Sequence, residues 1–290
     1  MPTATRGELT VLATAEYPVA LATYGGIVYF ADFADRSIRA VDQSGAELFR
    51  ANGKQLGNGI VANASGVYWA AESSLNRAEL DGSNITSLSS DFAPAALALG
   101  PNGLYGSGAT GSRTLVSVGL SGGSTVSLTT DSVLSYGVAV DADHVYWSTY
   151  GENPSIRSAP IAKDDSSEPG ESKLLATSSG RGGSIAIDVH NVYWVADGLV
   201  MKVPLGGGGA TALASGTPCQ FISGIAVDGE SVYWSTANAI MKVSVDGGVA
   251  EELVSGLDSP AAVAVDDTSV YWANLGTSTR NGTIMKLTPK

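Results

Sequence analysis

The sequence predicts an all-β, seven-bladed β-propeller. Three observations carry that prediction: a tyrosine-centred motif met seven times, a spacing near forty residues, and a small-then-large alternation in the segment before each tyrosine. The anchors are Tyr29, Tyr68, Tyr105, Tyr146, Tyr193, Tyr233 and Tyr271, separated by 39, 37, 41, 47, 40 and 38 residues. In five copies the words are Val-Tyr-Trp, and these hold all five tryptophans: Trp69, Trp147, Trp194, Trp234 and Trp272. A period near forty with strand chemistry is the pattern of a propeller, in which each repeat is one four-stranded blade. Repeat architecture overrides the two-domain reading that length alone would allow, so residues 1–290 are expected to form a single domain.

Strand A opens each repeat, with blades beginning near residues 18, 57, 94, 135, 182, 222 and 260. One of its positions is always small: Ala20, Gly59, Ala96, Gly137, Ser184, Gly224 and Ala262. Two residues on, the set is Ala22, Val61, Ala98, Ala139, Ala186, Ala226 and Ala264, while the position between is larger: Leu21, Ile60, Leu97, Val138, Ile185, Ile225 and Val263. Period-two alternation puts the small set on one sheet face and the large set on the other. Around an axis, the large face of one blade then fits the small face of its neighbour. A tight turn follows, opened in four repeats by Asp141, Asp188, Asp228 and Asp266, whose side chains can bond the backbone two residues on.

Strand B is the Val-Tyr-Trp segment, and its strict repetition reads as core, with the aromatic polar atoms expected to bond between blades. Strand C follows as Val200–Val203, Ile240–Val243 and Ile284–Leu287. Gly207-Gly208 and Gly247-Gly248 then turn the chain into strand D, a hairpin signal. Blade 7 has no strand D before Lys290, whereas Leu9-Thr-Val-Leu-Ala13 resembles a strand D with no blade before it. Residues 8–14 are therefore expected to complete blade 7 and close the ring.

Composition narrows the function. A net charge of −12 disfavours nucleic acid, since no basic stripe exists to neutralise phosphates, and disfavours an anionic membrane surface. No apolar run of spanning length argues for membrane insertion. The single cysteine, Cys219, precludes an intrachain disulfide and reads as a small, buried residue. A monomer is expected, and extracytoplasmic residence with a leader removed is favoured over the cytoplasm.

Val-Tyr-Trp followed by Ile-x-Lys-Val and Gly-Gly resembles the YWTD-type propeller repeat of low-density-lipoprotein-receptor relatives, and more closely the bacterial secreted propellers with Val-Tyr-Trp repeats. The Thr-Asp half is mostly absent; its last place holds Asp32, Ala71, Gly108, Thr149, Ala196, Thr236 and Asn274. The resemblance implies the blade chemistry and not the receptor function. A looser likeness to streptogramin-lyase-type propellers would imply a metal and a histidine base near the mouth, and no matching histidine is present.

In a propeller the D-to-A and B-to-C loops build the mouth of the central channel and are free to vary. Departures from the repeat there are the candidate ligand-binding residues. Asn58, Tyr136, Arg181 and Gln220 stand in D-to-A positions where proline is usual, and Asp32, Glu72, Tyr150 and Asn274 in B-to-C loops. An arginine, carboxylates and aromatic edges suit a polar organic ligand such as a sugar or peptide. His144 and His190 fall in A-to-B turns on the opposite face, so no histidine-based zinc site or Ser-His-Asp triad can form at the mouth. No metal site is expected. Asp32 with Asp35, and Asp164 with Asp165, carry oxygens that suit Ca²⁺ but lack the spacing of a Ca²⁺ loop. The favoured reading is a non-catalytic recognition or scaffolding propeller that binds a small polar molecule or a protein at its mouth. The alternative is a lyase or hydrolase using Asp32 and Glu72 with Arg181 to stabilise developing charge, with a divalent metal conceivable.

Overall fold

The computed structural model describes residues 3–4, 7–52, 56–71, 74–90, 92, 94–108, 115–129, 135–151, 153–161, 169–178, 183–215, 224–276 and 281–290. Seven antiparallel sheets stand in a ring, with no helix among these residues. In chain order, strands A to D are Pro18–Tyr24, Ile27–Asp32, Ser37–Val41 and Glu47–Asn52 in blade 1, and Leu56–Asn63, Gly66–Ala71, Ser74–Ala78 and Thr86–Ser89 in blade 2. Blade 3 has Pro94–Leu99, Leu104–Gly108, Leu115–Val118 and Val126–Ser127; blade 4 has Ser135–Val140, His144–Thr149, Ser155–Pro160 and Lys173–Thr177. Blade 5 has Ile185–Ile187, Asn191–Ala196, Leu199–Pro204 and Thr211–Ser215; blade 6 has Ile225–Val227, Ser231–Ser235, Ala239–Ser244 and Glu251–Ser255. Blade 7 has Pro260–Val265, Val270–Asn274 and Gly282–Thr288.

Each strand A touches strand A of the next blade, and Pro260–Val265 touches Pro18–Tyr24, which closes the inner ring. The small positions make this approach possible. A Cβ added at Gly59 would lie 2.6 Å from Leu97 Cβ, a large-set residue of the next blade. One added at Gly137 would lie 2.7 Å from the Ile185 nitrogen.

Cross-strand register sets what each face carries. Tyr271 lies opposite Ala264, and Trp272 opposite Val263; the same pairing joins Tyr193 to Ala186 and Trp194 to Ile185. A small residue therefore shares the tyrosine face and leaves room for the ring. Between blades, the tyrosine face of one packs on the tryptophan face of the next: Tyr29 with Trp69, Tyr146 with Trp194, Tyr193 with Trp234, and Tyr233 with Trp272. Blade 7 meets blade 1 in the same way, with Phe30 in the tryptophan place against Tyr271.

Serines after the Tyr-Trp pair add polar stitches. Ser148 Oγ donates to the Gly183 carbonyl of blade 5 at 2.7 Å and accepts from the Gly137 N–H at 3.1 Å. Ser235 repeats this with the Ala261 carbonyl at 2.8 Å and the Gly224 N–H at 2.9 Å.

Glu8–Ala15 supplies strand D of blade 7, with Glu8 opposite Thr288 and Ala15 opposite Gly282. Arg39 of blade 1 ties down this seam. It donates to the Thr14 carbonyl at 2.7 Å, pairs with Glu47 at 2.6 Å, and lies 5.0 Å over the Phe30 ring. One feature escapes sequence reading: Thr3–Ala4 pairs with the outer edge of blade 6, Thr3 opposite Ser255. Two residues are too few to leave an alternation signal. The amino-terminal segment thus bridges two blades.

Gly224→Ala should destabilise the ring severely, because its Cβ would meet the Ala261 oxygen at 2.2 Å and the Val263 nitrogen at 2.5 Å. A loss of about 3 kcal/mol or more is expected in urea unfolding. Gly229→Ala, with nothing within 4 Å, should be close to neutral. Equal midpoints for the two variants would contradict the packing described.

Candidate functional site

Strands A and C start at the mouth face and strand B ends there, so the residue ending strand B meets the B-to-C loop. Asp32, Thr149, Thr236 and Asn274 occupy that place, and each pins the loop. Asp32 is buried, and its carboxylate accepts backbone N–H groups from Glu16 at 2.8 Å, Tyr17 at 2.9 Å and Asp35 at 3.4 Å. Thr149 Oγ1 accepts the Ser155 N–H at 2.9 Å, and Thr236 Oγ1 accepts the Ala239 N–H at 3.0 Å. Asn274, also buried, donates through Nδ2 to Thr283 Oγ1 at 3.0 Å, while its Oδ1 has no partner among the described residues. Asp32 and Asn274 therefore hold loops, and the Asp32 carboxylate is engaged by backbone amides. Its oxygens are taken by amides that would otherwise be orphaned.

Beside Asp32, Asp35 Oδ2 accepts from Ser37 Oγ at 2.6 Å and from Arg50 at 3.0 Å. Among the described residues, no group of three His, Cys, Asp or Glu side chains converges to hold a metal.

Two of the sequence-selected residues do meet. Tyr136, in strand A of blade 4, and Tyr150, after strand B of the same blade, stack with ring centroids 4.4 Å apart at 27°. Tyr136 is 50% exposed, so one face of the pair remains open to solvent. Three blades away, Tyr17 and Phe33 are also exposed on mouth loops, joined by a backbone bond from the Phe33 N–H to the Tyr17 carbonyl at 3.0 Å. Sequence reading missed this second pair, because Tyr17 precedes an ordinary proline and Phe33 follows the motif. Asn58 lies within strand A of blade 2, and its side chain lies outside the described residues. Glu72, Arg181, Gln220, Cys219, Asp164 and Asp165 lie outside them too.

The opposite face is built from a repeated clasp. Asp141 Oδ1 accepts the N–H groups of Asp143 at 2.8 Å and His144 at 2.7 Å, and its Oδ2 accepts the Tyr146 hydroxyl at 2.7 Å. Asp188 holds Tyr193 at 2.6 Å, Asp228 holds Tyr233 at 3.1 Å, and Asp266 holds Tyr271 at 2.7 Å in the same way. The turn bond was legible in the sequence; the hydroxyl bond was not. Four of the seven motif tyrosines thus bond an aspartate of their own blade, while bonds between blades among the described residues run from Tyr271 to Gln43 at 2.8 Å and from Tyr29 to the Leu80 carbonyl at 3.3 Å. The buried indole N–H groups of Trp147, Trp194 and Trp272 have no partner among the described residues.

These contacts move the titrations. Burial pushes the Asp141, Asp228 and Asp266 carboxyls up, but the hydrogen bonds they accept outweigh it and hold all three below the ordinary range. Burial, reinforced by the aspartate bond, pushes the Tyr271 hydroxyl up to about 12 and raises those of Tyr146 and Tyr193. His144 and His190 are exposed on this face, as the sequence predicts. A cleft of about 810 Å³ opens here, lined by residues of blades 4, 5 and 6.

The chain matches no protein family and no curated protein. Solved structures resemble it in fold. A catalytically inactive histidine-to-alanine variant of virginiamycin B lyase from Staphylococcus aureus, solved with quinupristin, aligns with a TM-score of 0.74 at 15% identity over 98% of this chain and 99% of that one. BamB from Moraxella catarrhalis aligns with a TM-score of 0.60 at 10% identity over 97% and 100%. A chain of a nidogen/laminin complex aligns with a TM-score of 0.58 at 16% identity over 80% and 88%. The propeller likeness read from the Val-Tyr-Trp repeats holds at the level of fold. That fold serves a lyase in one case and a protein complex in another.

Two predictions come from the clasp. In blade 2 the aspartate place is Asn63, whose Oδ1 accepts the Ser65 N–H at 2.8 Å, and the buried Tyr68 hydroxyl has no partner among the described residues. Asn63→Asp should supply that partner and stabilise by about 1 kcal/mol, a rise in Tm of about 2 °C. A lower Tm would refute the assignment. The lowered carboxyls contribute stability above their unfolded value, which is lost as pH falls through the folded one; the raised hydroxyls contribute below about 10 and lose it as pH rises toward the folded value. Thermal melts should therefore plateau between about pH 5 and pH 9 and fall on both sides. A Tm that climbs on acidification through pH 4 would contradict this account.

Proposed function

We propose that this protein is a recognition propeller whose mouth binds a polar organic ligand with a flat face, a sugar or an aromatic-bearing peptide. The stacked, half-exposed Tyr136–Tyr150 pair carries the reading. Large aromatic surface is normally buried, and an exposed stack at a channel mouth offers both a platform and two hydroxyl groups. Tyr17 and Phe33 widen this surface from another side of the ring. Among the described residues, the other face exposes one large aromatic ring, Tyr24.

The catalytic alternative draws less support. Both histidines of the chain lie on the face opposite the mouth, and the Asp32 carboxylate is satisfied by backbone amides. The lyase of the same fold is inactive when a histidine is replaced by alanine, so its chemistry has no counterpart on the described part of this mouth.

Glycan and peptide arrays would identify a ligand, and calorimetry would measure it. Tyr136→Ala should weaken binding about tenfold or more, near 1.4 kcal/mol, while the melting curve stays within a degree or two of the parent because the ring is half exposed. Unchanged affinity in both Tyr136→Ala and Tyr150→Ala would remove the mouth from consideration.

A further inference from the structure

The cleft opposite the mouth has an internal precedent that shows what it can hold. At the junction of blades 6 and 7, Lys290 follows strand Gly282–Thr288. Its ammonium lies 2.7 Å from Asp228 Oδ2, donates to the Asp266 carbonyl, and sits 5.7 Å from the Tyr233 ring. A clasp aspartate, its tyrosine and a carbonyl from the next blade together make an ammonium seat.

The junction of blades 5 and 6 repeats the frame with the cation changed to an anion. Register aligns Lys242 with Tyr233 and Lys286 with Tyr271, so Asp246 stands four residues after Lys242 just as Lys290 stands four after Lys286. Asp188 and Tyr193 take the parts of Asp228 and Tyr233. Asp188 and Asp246 line the same 810 Å³ cleft, and among the described residues neither forms an ion pair. The Asp246 charge is felt at the Tyr193 hydroxyl. Lys202, the cation on this wall, already donates to the Val245 carbonyl at 2.7 Å. Leu205 and Val245 line the walls and offer apolar surface to an alkyl stem.

We propose that the cleft between blades 5 and 6 is a docking site for a lysine side chain presented by a partner protein segment, its ammonium held between Asp188 and Asp246. The charge is complementary, the space exceeds that of one lysine, and the neighbouring junction displays the same seat filled by Lys290. The site is separate from the mouth and does not depend on it.

The test titrates the full chain, at low salt, with acetyl-Thr-Pro-Lys amide, its norleucine counterpart and spermidine, following backbone amide shifts by NMR. The lysine peptide should perturb residues 188–191 and 245–247, and the norleucine peptide should not. Asp246→Asn should weaken that response about threefold or more, as should high salt. Asp246→Lys should install the missing ammonium, raise the Tm and abolish the response. Equal responses to lysine and norleucine peptides, or a response unchanged in Asp246→Asn, would overturn the site. Spermidine binding without peptide binding would overturn the protein-segment occupant. No peptide response in the parent, together with no rise in Tm for Asp246→Lys, would overturn the proposal entirely.

Discussion

The closeness with which seven inner strands can approach one another governs this molecule. Where Gly59, Gly137 and Gly224 stand, even a methyl group would collide with the next blade. That contact sets the radius of the ring, and the radius sets how the outer strands splay. Small residues on one face of strand A permit the approach, and large ones on the other fill the wedge that opens behind it. The tyrosine–tryptophan layer is the next shell outward, where more room exists and larger rings are needed to occupy it. A gradient of side-chain size from axis to rim is thus written into each repeat, and close packing does the rest.

Polar groups are subordinate to that packing, and magnitudes show why. Burying a tryptophan removes about 150–250 Å² from water, worth roughly 4–6 kcal/mol at 25 cal/mol per Å². An unpaired buried N–H costs about 1–3 kcal/mol. Trp147, Trp194 and Trp272, whose indole N–H groups have no partner among the described residues, can therefore still favour the fold. Tyrosine hydroxyls are treated differently, because a turn aspartate lies within reach and already serves the backbone. One carboxylate then satisfies two amides and a phenol, joining the turn to the core.

Legibility followed periodicity. Blade number, strand order and the closing role of residues 8–14 were readable because each rests on a pattern repeated several times or on a missing partner for such a pattern. The turn role of Asp188 was readable from its local chemistry, whereas its bond to Tyr193 depends on the angle at which strand B leaves the turn. Asp32 and Asn274 were legible as polar residues at the end of strand B, but their bonds, Asp32 to loop amides and Asn274 to the Thr283 hydroxyl, depend on how each loop folds back. Tyr136 and Tyr150 stood out as departures from the repeat, but their stacking needed the sheet. The cleft of blades 5 and 6 stayed hidden because Asp188 and Asp246 each look ordinary within their own turn.

The seam between Glu8–Ala15 and Gly282–Thr288 makes the order of events in folding matter. The four strands A to D of every other blade are consecutive in the chain, whereas this sheet joins strands separated by roughly 270 residues, a loop whose closure costs about 5 kcal/mol of chain entropy against about 1 kcal/mol for a four-residue turn. On a ribosome, blades 1 to 6 can assemble as the chain emerges, while the amino-terminal strand has to wait, unpaired, for its complement. During that interval the nascent ring is an open arc with apolar faces at both ends, and the last strand to arrive converts it into a closed, topologically self-fastened body.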